Sequence, residues 1–563
     1  MIYHCEDHTC NYWDEGEKLP ERCPQCGRKL LRANETDMTG DDWTALGNTL
    51  WDAEASDKKR MVDCFRKAAY LGSAWGVCNL GICMEQGNGV EADPVQAFWL
   101  YRQAGEMGSL NAVCCLGVCY QYGIGTAPDA EKAAELYCKA AEYGSPRGQM
   151  LLARAFHDGI GVEADAAEAV HWVRAAAYQR YGEGMHRLGV CYEYGDGVEQ
   201  NWEHAVHWFR EAAESGVSTA MTDLGYCYEK GCGVEQSWEQ AFSWYRRGAE
   251  CGYPVSMSNL GLCYKRGYGV EQNWQEAIKW YEQGAQCGHL QSMNNLACCY
   301  EDGEGVEQNE ERALYWYRRG AEAGSDYCMY CLGWNYSNGE GVEQNMTEAI
   351  RWYTAAAEGG NADAMHNLGW HYDHGEGVEQ DMKKAICWYE RAAEQNHPAA
   401  MNSLGECYAM GRGVPRDLET AMEWYRRAAE LGEAMADYNM GWHLEQAGKL
   451  SEAYAHYRKA ADGNDDSAWW ALGRFYENGV VVAQDGKEAR RCYETGEKLG
   501  SVKCKMRLAR CKLLGIGGRR EKKAGLDRCR QALELAKESS EKEDYGYEAE
   551  MNLLRRTIAE NES

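Results

Sequence analysis

Apolar residues recur at helical spacing in two short stretches of the segment from Ser218 to Gly252. In the first stretch Ala220, Leu224 and Tyr228 lie four residues apart, which places them on one face of an α-helix. The second stretch has the same kind of spacing at Ala241, Trp244, Tyr245 and Ala249. The pattern therefore predicts two amphipathic helices joined by the glycine-rich loop 231–234.

This two-helix unit recurs along the chain with a period of 36 residues. The first glycines of its Gly-x-Gly loop are Gly87, Gly123, Gly159, Gly195, Gly231, Gly267, Gly303, Gly339, Gly375 and Gly411. A Leu-Gly or Leu-Ala pair in the first helix keeps the same step, and its degenerate copies extend the count to about 14 repeats over residues 41–538. Because one hairpin cannot bury its apolar stripe alone, neighbours must stack, and the sequence predicts an all-α fold, an α-solenoid superhelix.

Polar residues mark the start of the second helix in ten successive copies. They are Asp93, Asp129, Asp165, Asn201, Ser237, Asn273, Asn309, Asn345, Asp381 and Asp417. Their side chains can accept a hydrogen bond from the unpaired amides of the first turn. The second helix usually ends at a glycine such as Gly252. Asn396 and Arg180 replace that glycine in two copies; Asn tolerates the left-handed conformation, whereas Arg180 predicts a different local turn.

The whole repeat resembles the Sel-one-like repeat family, a relative of the tetratricopeptide repeat. Ala220–Val234 carries the pattern A-x-x-x-L-G-x-x-Y-x-x-G-x-G-V, and Ala241–Gly252 carries A-x-x-W-Y-x-x-A-A-E-x-G. The resemblance covers about nine-tenths of the chain and implies a protein-binding framework used in complex assembly or signalling. Some secreted relatives carry a disulfide within each hairpin, but Cys328 here has no cysteine partner at Ala321. A few cysteine-rich relatives are antibiotic hydrolases, which implies an alternative function.

Net charge and cysteine content narrow the choice of partner and compartment. Lys and Arg number 59 against 88 Asp and Glu, a net charge of -29 that repels nucleic acid and favours basic partners. The chain has 27 cysteines, an odd number, and its first residues do not resemble a signal peptide. Both observations favour reduced thiols in a cytoplasm. No apolar run reaches the length of a membrane span. We expect a cytoplasmic bacterial protein.

Four cysteines near the start have the spacing of a metal site. Cys23 and Cys26 form a C-x2-C knuckle, and Cys5 and Cys10 precede it as a C-x4-C pair. Four such thiolates can bind one structural zinc ion, and residues 1–33 resemble a rubredoxin-type zinc ribbon, followed by a linker at 34–40. Iron in the same cage, or a histidine (His4 or His8) replacing Cys5, remains an alternative.

Two surfaces of the repeats are candidate binding sites. We expect a groove formed by first-helix residues that flank the Leu-Gly pair, since amides can hold a peptide backbone and exposed aromatics can anchor side chains. The groove residues are Tyr226, Asn259, Asn295, Trp334, Asn367, Trp370, Asn439 and Trp442. An acidic edge follows the Gly-x-Gly-Val loops at Glu199, Glu235, Glu271, Glu307, Glu343 and Glu379. The edge would hold a basic segment, or would serve only solubility.

Basic residues concentrate near the end of the chain. The basic patch is Lys503, Lys505, Arg507, Arg510, Lys512, Arg519, Arg520, Lys522 and Lys523, followed by Arg528 and Arg530. It predicts a docking site for an acidic protein, for nucleic acid or for the acidic body of another copy of the chain, with a solvated helix face as the alternative. Residues 539–563 should contain a helix that caps the solenoid.

Catalytic motifs do not emerge from the sequence. The Gly-x-Gly loops join two helices, so they are not phosphate-binding loops that follow a strand. His366, His371 and His374 lie close in sequence, but without further ligands we expect them to be surface residues. The column of tryptophans that includes Trp244 we assign to core packing. The sequence thus favours a non-enzymatic scaffold for a protein or peptide partner, with a regulatory subunit that docks through the basic patch as the first alternative.

The zinc ribbon predicts a local effect of one substitution. Cys23→Ser should release about one zinc ion per chain and loosen the first ~35 residues, because the metal replaces a core that so short a segment lacks. The helical circular dichroism should stay nearly unchanged, since the solenoid stabilises itself repeat by repeat. Metal analysis and circular dichroism of the purified variant measure both effects, and a global loss of helix would contradict the prediction.

Overall fold

The computed structural model describes three short strands at the start of the chain and then residues 38–51, 55–542 and 547–562. The strands are β1 (Ile2–Cys5), β2 (Trp13–Glu15) and β3 (Leu30–Ala33). They form an antiparallel sheet in the order β2-β1-β3, with Tyr3 opposite Asp14 and Arg32. Cys5 ends β1, but its side chain and the other three proposed zinc ligands, Cys10, Cys23 and Cys26, lie outside the described residues. The zinc site therefore stays a prediction.

Helices make up the rest of the described chain as fourteen hairpins and a final helix, which confirms the α-solenoid. The first helices of the hairpins, called A helices, are α1 (Gly40–Thr49), α3 (Ala74–Gln86), α5 (Leu110–Tyr122), α7 (Pro146–Asp158), α9 (Gly182–Tyr194), α11 (Ser218–Lys230), α13 (Pro254–Arg266), α15 (Leu290–Asp302), α17 (Asp326–Asn338), α19 (Ala362–His374), α21 (Pro398–Met410), α23 (Ala434–Gln446), α25 (Asp466–Asn478) and α27 (Val502–Leu514).

The second helices of the hairpins are called B helices. They are α2 (Ala55–Tyr70), α4 (Pro94–Glu106), α6 (Ala130–Glu142), α8 (Ala166–Tyr178), α10 (Trp202–Glu214), α12 (Trp238–Glu250), α14 (Trp274–Gln286), α16 (Glu310–Glu322), α18 (Met346–Glu358), α20 (Met382–Glu394), α22 (Leu418–Glu430), α24 (Leu450–Asp462), α26 (Gly486–Lys498) and α28 (Lys522–Lys542). The last helix is α29 (Glu548–Glu562). The chain divides into two compact units, Met1–Ser292 and Met293–Ser563.

The observed helices begin and end at the capping residues that the sequence predicts. All ten polar residues predicted to start a B helix accept a hydrogen bond from a first-turn amide. At the other end of the A helices a left-handed glycine such as Gly231, with φ 74°, closes the last turn. The prediction for Arg180 was wrong: its φ of 59° matches the 61° of Asn396, so the turn keeps its shape and Arg180 adopts a backbone conformation that favours glycine.

A buried tyrosine on the B helix forms the centre of most repeats. In the repeat of α21 and α22, the ring of Tyr425 lies against Gly405 of the Leu-Gly pair, and a methyl group at Gly405 would lie 2.5 Å from Tyr425 Cε1. The same contact joins Gly225 to Tyr245. The tyrosine hydroxyl often donates to a carboxylate on its own A helix, as from Tyr245 to Glu229 at 2.8 Å. Glycine is therefore favoured in the A helix because the ring occupies the space of its side chain.

The tryptophans beside these tyrosines are less buried than the sequence predicts. Trp208, Trp388 and Trp424 pack against the core but remain partly exposed. Arginines cover several of them on the outer side: the guanidinium of Arg391 lies 4.2 Å from the Trp388 ring centroid, and Arg247 lies 4.2 Å from that of Trp244. The tyrosine column, rather than the tryptophan column, supplies the large side chains that are fully buried.

Small residues form the contact between one repeat and the next. Gly248 on α12 faces Ser256 on α13, and Gly496 on α26 faces Cys504 on α27, at positions where an added methyl group would collide with the partner side chain. The Cys191, Cys227, Cys263, Cys299 and Cys407 column is fully buried in the A helices, which confirms its predicted role as a small apolar residue. Close approach of the helix backbones lets each hairpin bury the stripe of its neighbour.

An ion-pair network fastens α29 to the last repeats. Arg507 donates two hydrogen bonds to Glu550, Nε to Oε2 at 2.6 Å and Nη2 to Oε1 at 2.7 Å. Glu550 also accepts from the Trp470 indole at 3.2 Å, while Glu477 pairs with Arg507 and Arg510. Since the two carboxylates are buried, the network satisfies charges that would otherwise be costly. The predicted terminal helix is present, although α28 extends past residue 538 to Lys542.

The Gly405–Tyr425 contact predicts an unusual response to alanine. Gly to Ala inside a helix normally stabilises it by about 1 kcal/mol, but here the methyl group meets the ring and should destabilise the protein by about 1–3 kcal/mol. Tyr425→Val should reduce the penalty of Gly405→Ala, because a smaller side chain leaves room for the methyl group. The repeat of α7 and α8 already has this combination, with Ala153 and Val173 buried at the two positions. Urea denaturation of the two single variants and the double variant measures the coupling, and additive effects would contradict it.

The α29 network predicts a local loss of stability. Glu550→Gln should leave Arg507 without its bidentate partner and cost about 3 kcal/mol of local stability. Amide hydrogen exchange should then speed up in α27 and α29 but not in the distant repeats. Glu548→Gln, on an exposed residue of the same helix, is the matched control. Equal exchange rates in the two variants would show that the network does not hold α29.

Candidate functional site

The A helices form the more closely spaced layer of each unit. Helices α5 and α7, α11 and α13, and α25 and α27 contact each other directly, whereas B helices of successive repeats have no comparable contacts among the described residues. In each unit the A helices thus form a layer of their own, with one side turned away from the B helices. We call this side of the A helices the A surface of the unit.

Large aromatic side chains are exposed on the A surface at one repeat position. Tyr226 is 44% exposed, Trp334 45%, Trp370 37% and Trp442 40%. Each directly follows the Leu-Gly or Met-Gly pair, so the same packing that buries the leucine and glycine turns the next residue outward. The structure thus places these four predicted groove residues on A helices, Tyr226 in the first unit and the three tryptophans in the second.

The asparagines of the predicted groove are half-buried, and three of them already have partners within the chain. Asn439 Nδ2 donates to Asn402 Oδ1 at 3.0 Å and to Glu406 Oε1 at 3.2 Å. Asn295 also has a partner within the chain, and Asn367 contacts the tyrosine hydroxyls of its surroundings. Asn259 is half-buried like the others. The Asn439 amide thus connects α23 to α21, and the amide of Asn367 is engaged by tyrosines, so the aromatic side chains are the more available part of the groove.

Further apolar side chains are exposed on the A helices of the second unit, in addition to the three tryptophans. Tyr327 precedes Trp334 by seven residues on α17, and Met435 precedes Trp442 by seven on α23, so each pair shares one helix face. Met410 on α21 is exposed as well. Sequence reasoning missed these three residues, although the seven-residue spacing of apolar side chains on the polar face was a usable signal.

Histidines line part of the same surface. Trp370 and His374 stack with ring centroids 4.3 Å apart. His371, expected at the surface, is buried at 3% exposure and its Nδ1 contacts the Glu376 carbonyl at 3.0 Å. The expectation that His371 lies at the surface was wrong because the helix turns this position toward the core. Burial lowers the pKa of His366 to about 4, and in the described part of the chain no group of three or more ligands could hold a metal ion.

One serine–histidine contact bears on the hydrolase alternative. Ser403 Oγ lies 3.4 Å from His366 Nε2, but it also donates to the Ala399 carbonyl at 3.1 Å. With its lowered pKa, His366 is a weak base at neutral pH. The contact therefore gives little support to a serine nucleophile.

Glutamates of the acidic edge point into solvent in both units. Glu199, Glu235 and Glu271 belong to the first unit, and Glu307, Glu343 and Glu379 to the second. All six are exposed, and none forms an ion pair with another described residue. The glutamine after the glutamate has a different role. Gln236 Nε2 donates to the Glu229 backbone carbonyl at 2.8 Å, and Gln272 Nε2 donates to the Lys265 backbone carbonyl at the same distance. Glutamine fixes the loop, and glutamate supplies a regularly spaced negative charge.

The basic patch is only partly available for a partner. Arg507 and Arg510 are used in the α29 network, and Lys503 lies over the Trp470 ring, where burial lowers the pKa of its ammonium group. Lys505 and Lys512 are half-buried. The exposed members are Arg519, Arg520, Lys522 and Lys523. The expected patch is therefore smaller than the sequence predicts, because carboxylates distant in sequence neutralise part of it.

A cavity of about 390 Å³ opens between α7, α8 and α9. Its polar lining includes Arg154 paired with Asp158, and His157 and Arg187 that both contact Asp196. Most charges around the cavity are thus paired, and Glu183, which accepts a hydrogen bond from Tyr181, adds one further carboxylate.

No described helix has both the length and the apolar character needed to cross a membrane.

Comparisons with known proteins agree with this architecture. The Sel1 repeat family model matches twelve segments, at residues 76–109, 112–145, 146–181, 182–217, 218–253, 254–289, 290–325, 326–361, 362–397, 398–433, 434–465 and 468–501. No curated protein sequence matches the chain.

Two solved structures are similar to this chain. One is a protective antigen present in uropathogenic Escherichia coli strains, which displays an SLR fold; it is 28% identical, with a TM-score of 0.55 over 76% of this chain and 94% of that one. The other is a Sel1 repeat protein from Oxalobacter formigenes, 28% identical, with a TM-score of 0.43 over 56% of this chain and 93% of that one. From the twelve matched repeats and the fold, the chain belongs to the Sel1-repeat family.

Proposed function

We propose that this protein is a non-enzymatic cytoplasmic scaffold or adaptor that binds a protein or peptide partner on its A surface. Sel1-repeat proteins generally mediate protein–protein interactions, and their fold is typically a non-catalytic scaffold. The observation that supports the proposal most is the exposure of Trp334, Trp370 and Trp442 at one repeat position.

Exposed tryptophans are costly unless a partner covers them. A large aromatic side chain buries 150–250 Å² in a core or interface, and tryptophan is enriched among the residues that dominate binding energy. Tyr327, Met410 and Met435 add apolar area on the same layer of the second unit. Aromatic anchors with adaptable methionines suit a peptide or a short helix, with the half-buried amides as backbone partners.

The acidic edge favours a partner that carries basic residues. In each unit three exposed glutamates repeat at 36-residue intervals, and the net charge of -29 adds a long-range attraction for cations. The apolar anchors would supply affinity, while the edge would raise the association rate. Binding should therefore weaken moderately as the salt concentration rises.

We propose further that Cys5, Cys10, Cys23 and Cys26 bind one structural zinc ion at the start of the chain. The support is the spacing of the four thiols. Such a site would order a short segment ahead of the first repeat and would add no catalysis.

Substitution of the exposed tryptophans tests the binding surface. Peptides selected from a displayed random library by the wild-type protein provide the probes. Trp370→Ala with Trp442→Ala should weaken their binding by roughly thirtyfold or more, because the loss of even one anchor costs about 2 kcal/mol. Tyr315→Ala is the control, since Tyr315 is a similarly exposed aromatic residue on a B helix of the same unit. Calorimetric titration measures the affinities.

Two outcomes would contradict the proposal. Equal losses in the tryptophan and Tyr315 variants would show that the A surface is not selective. Binding that survives both but is abolished by Arg519→Glu with Lys522→Glu would favour the alternative of a regulatory subunit that docks through its basic patch.

A further inference from the structure

Four polar side chains form a closed ring of contacts across three A helices of the first unit. Arg147 Nη1 on α7 donates to Cys115 Sγ on α5 at 3.5 Å and also to Asn111 Oδ1. Asn111 Nδ2 donates to Cys78 Sγ on α3 at 3.6 Å. The side chains of Cys78 and Cys115 also interact with each other, since each changes the proton affinity of the other. Two thiols from consecutive repeats thus share one cluster with a guanidinium and an amide.

The two sulfurs of this ring have different proton affinities. The hydrogen bond from Cys78 and the positive charge of Arg147 lower the pKa of Cys115 to about 7, although burial opposes the change. The bond to Cys115 and burial raise the pKa of Cys78 instead. The negative charge of Glu85 and the Tyr101 hydroxyl also lie near the pair. Cys115 therefore loses its proton more readily than Cys78.

The ring sets these cysteines apart from the buried cysteines of other repeats. Burial raises the pKa of Cys191 to about 11, although the charge of Arg187 opposes the rise, and burial together with Glu229 raises the pKa of Cys263 to about 12. Cys115 instead occupies the position before the Leu-Gly pair, where other repeats have groove asparagines such as Asn259. Cys115 is 6% exposed and Cys78 1%. A small reagent therefore reaches Cys115 from the A surface before it reaches Cys78.

We propose that Cys78 and Cys115 form an oxidation site that reacts with a hydroperoxide and links consecutive repeats by a reversible disulfide. The Cys115 thiolate attacks the terminal peroxide oxygen; the O–O bond breaks, an alkoxide leaves and takes up a proton, and Cys115 becomes a sulfenic acid. The Cys78 sulfur then attacks the Cys115 sulfur, a disulfide forms, and water leaves with the Cys78 proton. The two thiols supply the two electrons that reduce the peroxide to an alcohol and water.

A disulfide at this place would join α3 to α5 within the first unit. Asn111 and Arg147 already hold the two thiols in one cluster, so the bond would connect side chains that are neighbours in the reduced protein. Arg147 would lose its anionic partner and be free to contact solvent or a ligand. This site stands on its own contacts and does not depend on whether the A surface binds a peptide.

Oxidation of the full-length protein tests the site. The reduced protein is treated with tert-butyl hydroperoxide, and its cysteines are mapped by differential alkylation and mass spectrometry. We expect a Cys78–Cys115 disulfide that dithiothreitol reverses. With Cys78→Ser the sulfenic acid has no resolving thiol, so Cys115 should form a dimedone adduct. Fragment ions distinguish Cys115 from Cys114 on the same peptide, and the Cys114→Ser control should leave the disulfide unchanged.

The reaction of the unoxidised protein gives an independent measure. Iodoacetamide at pH 7 should alkylate Cys115 at least about tenfold faster than Cys227, and Arg147→Met should slow Cys115 by about tenfold or more. Circular dichroism confirms that each variant is folded. Alkylation of Cys115 no faster than that of Cys227, or peroxide-induced disulfides spread over other cysteines, would overturn the proposal.

Discussion

A tyrosine ring packed against a helix backbone is the contact on which each repeat depends. The ring on the B helix fills the space where the A helix would otherwise have a side chain, as with Tyr425 and Gly405. This contact sets the distance between the two helices and leaves the hydroxyl within reach of an A-helix carboxylate such as Glu229. The residues at these two positions vary together in size in one repeat, where Ala153 replaces the glycine and Val173 replaces the tyrosine. In another repeat Ala297 lies opposite the buried Tyr317, which shows that the backbone can adjust to one methyl group.

Once this contact and the small residues between repeats are in place, the outward positions of the A helices are free to vary. Each hairpin needs only its neighbours for stability, so a residue that faces solvent can change without affecting the fold. The chain uses this freedom differently in its two units. The second unit exposes Trp334, Trp370 and Trp442 directly after the Leu-Gly or Met-Gly pair, whereas the A helices of the first unit hold Cys78, Cys115 and Arg147 in one cluster.

Local signals in the sequence predicted most of the fold. The 36-residue period, the capping residues of the B helices and the glycines of the loops follow from rules that act within a few residues. The neighbouring Trp244 and Tyr245 show where such rules fail, because adjacent residues on one helix cannot reveal which of them faces the glycine of another helix. Tertiary packing decides that point, and it also forces Arg180 into the conformation of a glycine.

The candidate sites were harder to predict because charge and reactivity depend on distant partners. Arg507 appeared to be part of a free basic patch, yet Glu550, 43 residues away in sequence, neutralises it. Cys115 gained its character from Arg147 and Cys78, which belong to the next and the previous repeat. By contrast, Trp334, Trp370 and Trp442 were predicted to be exposed from their place after the Leu-Gly or Met-Gly pair, since the period fixed their side of the helix.

Site-specific photo-crosslinking tests the central claim most directly, namely that the A surface is where the protein meets its partner. A photoreactive phenylalanine analogue replaces Trp334 in one variant and the B-helix residue Tyr315 in another, and both are irradiated with the same selected peptide. The account predicts crosslinks from position 334 that excess unlabelled peptide abolishes, and none above background from position 315. Crosslinks of equal yield from both positions, or from position 315 alone, would contradict it.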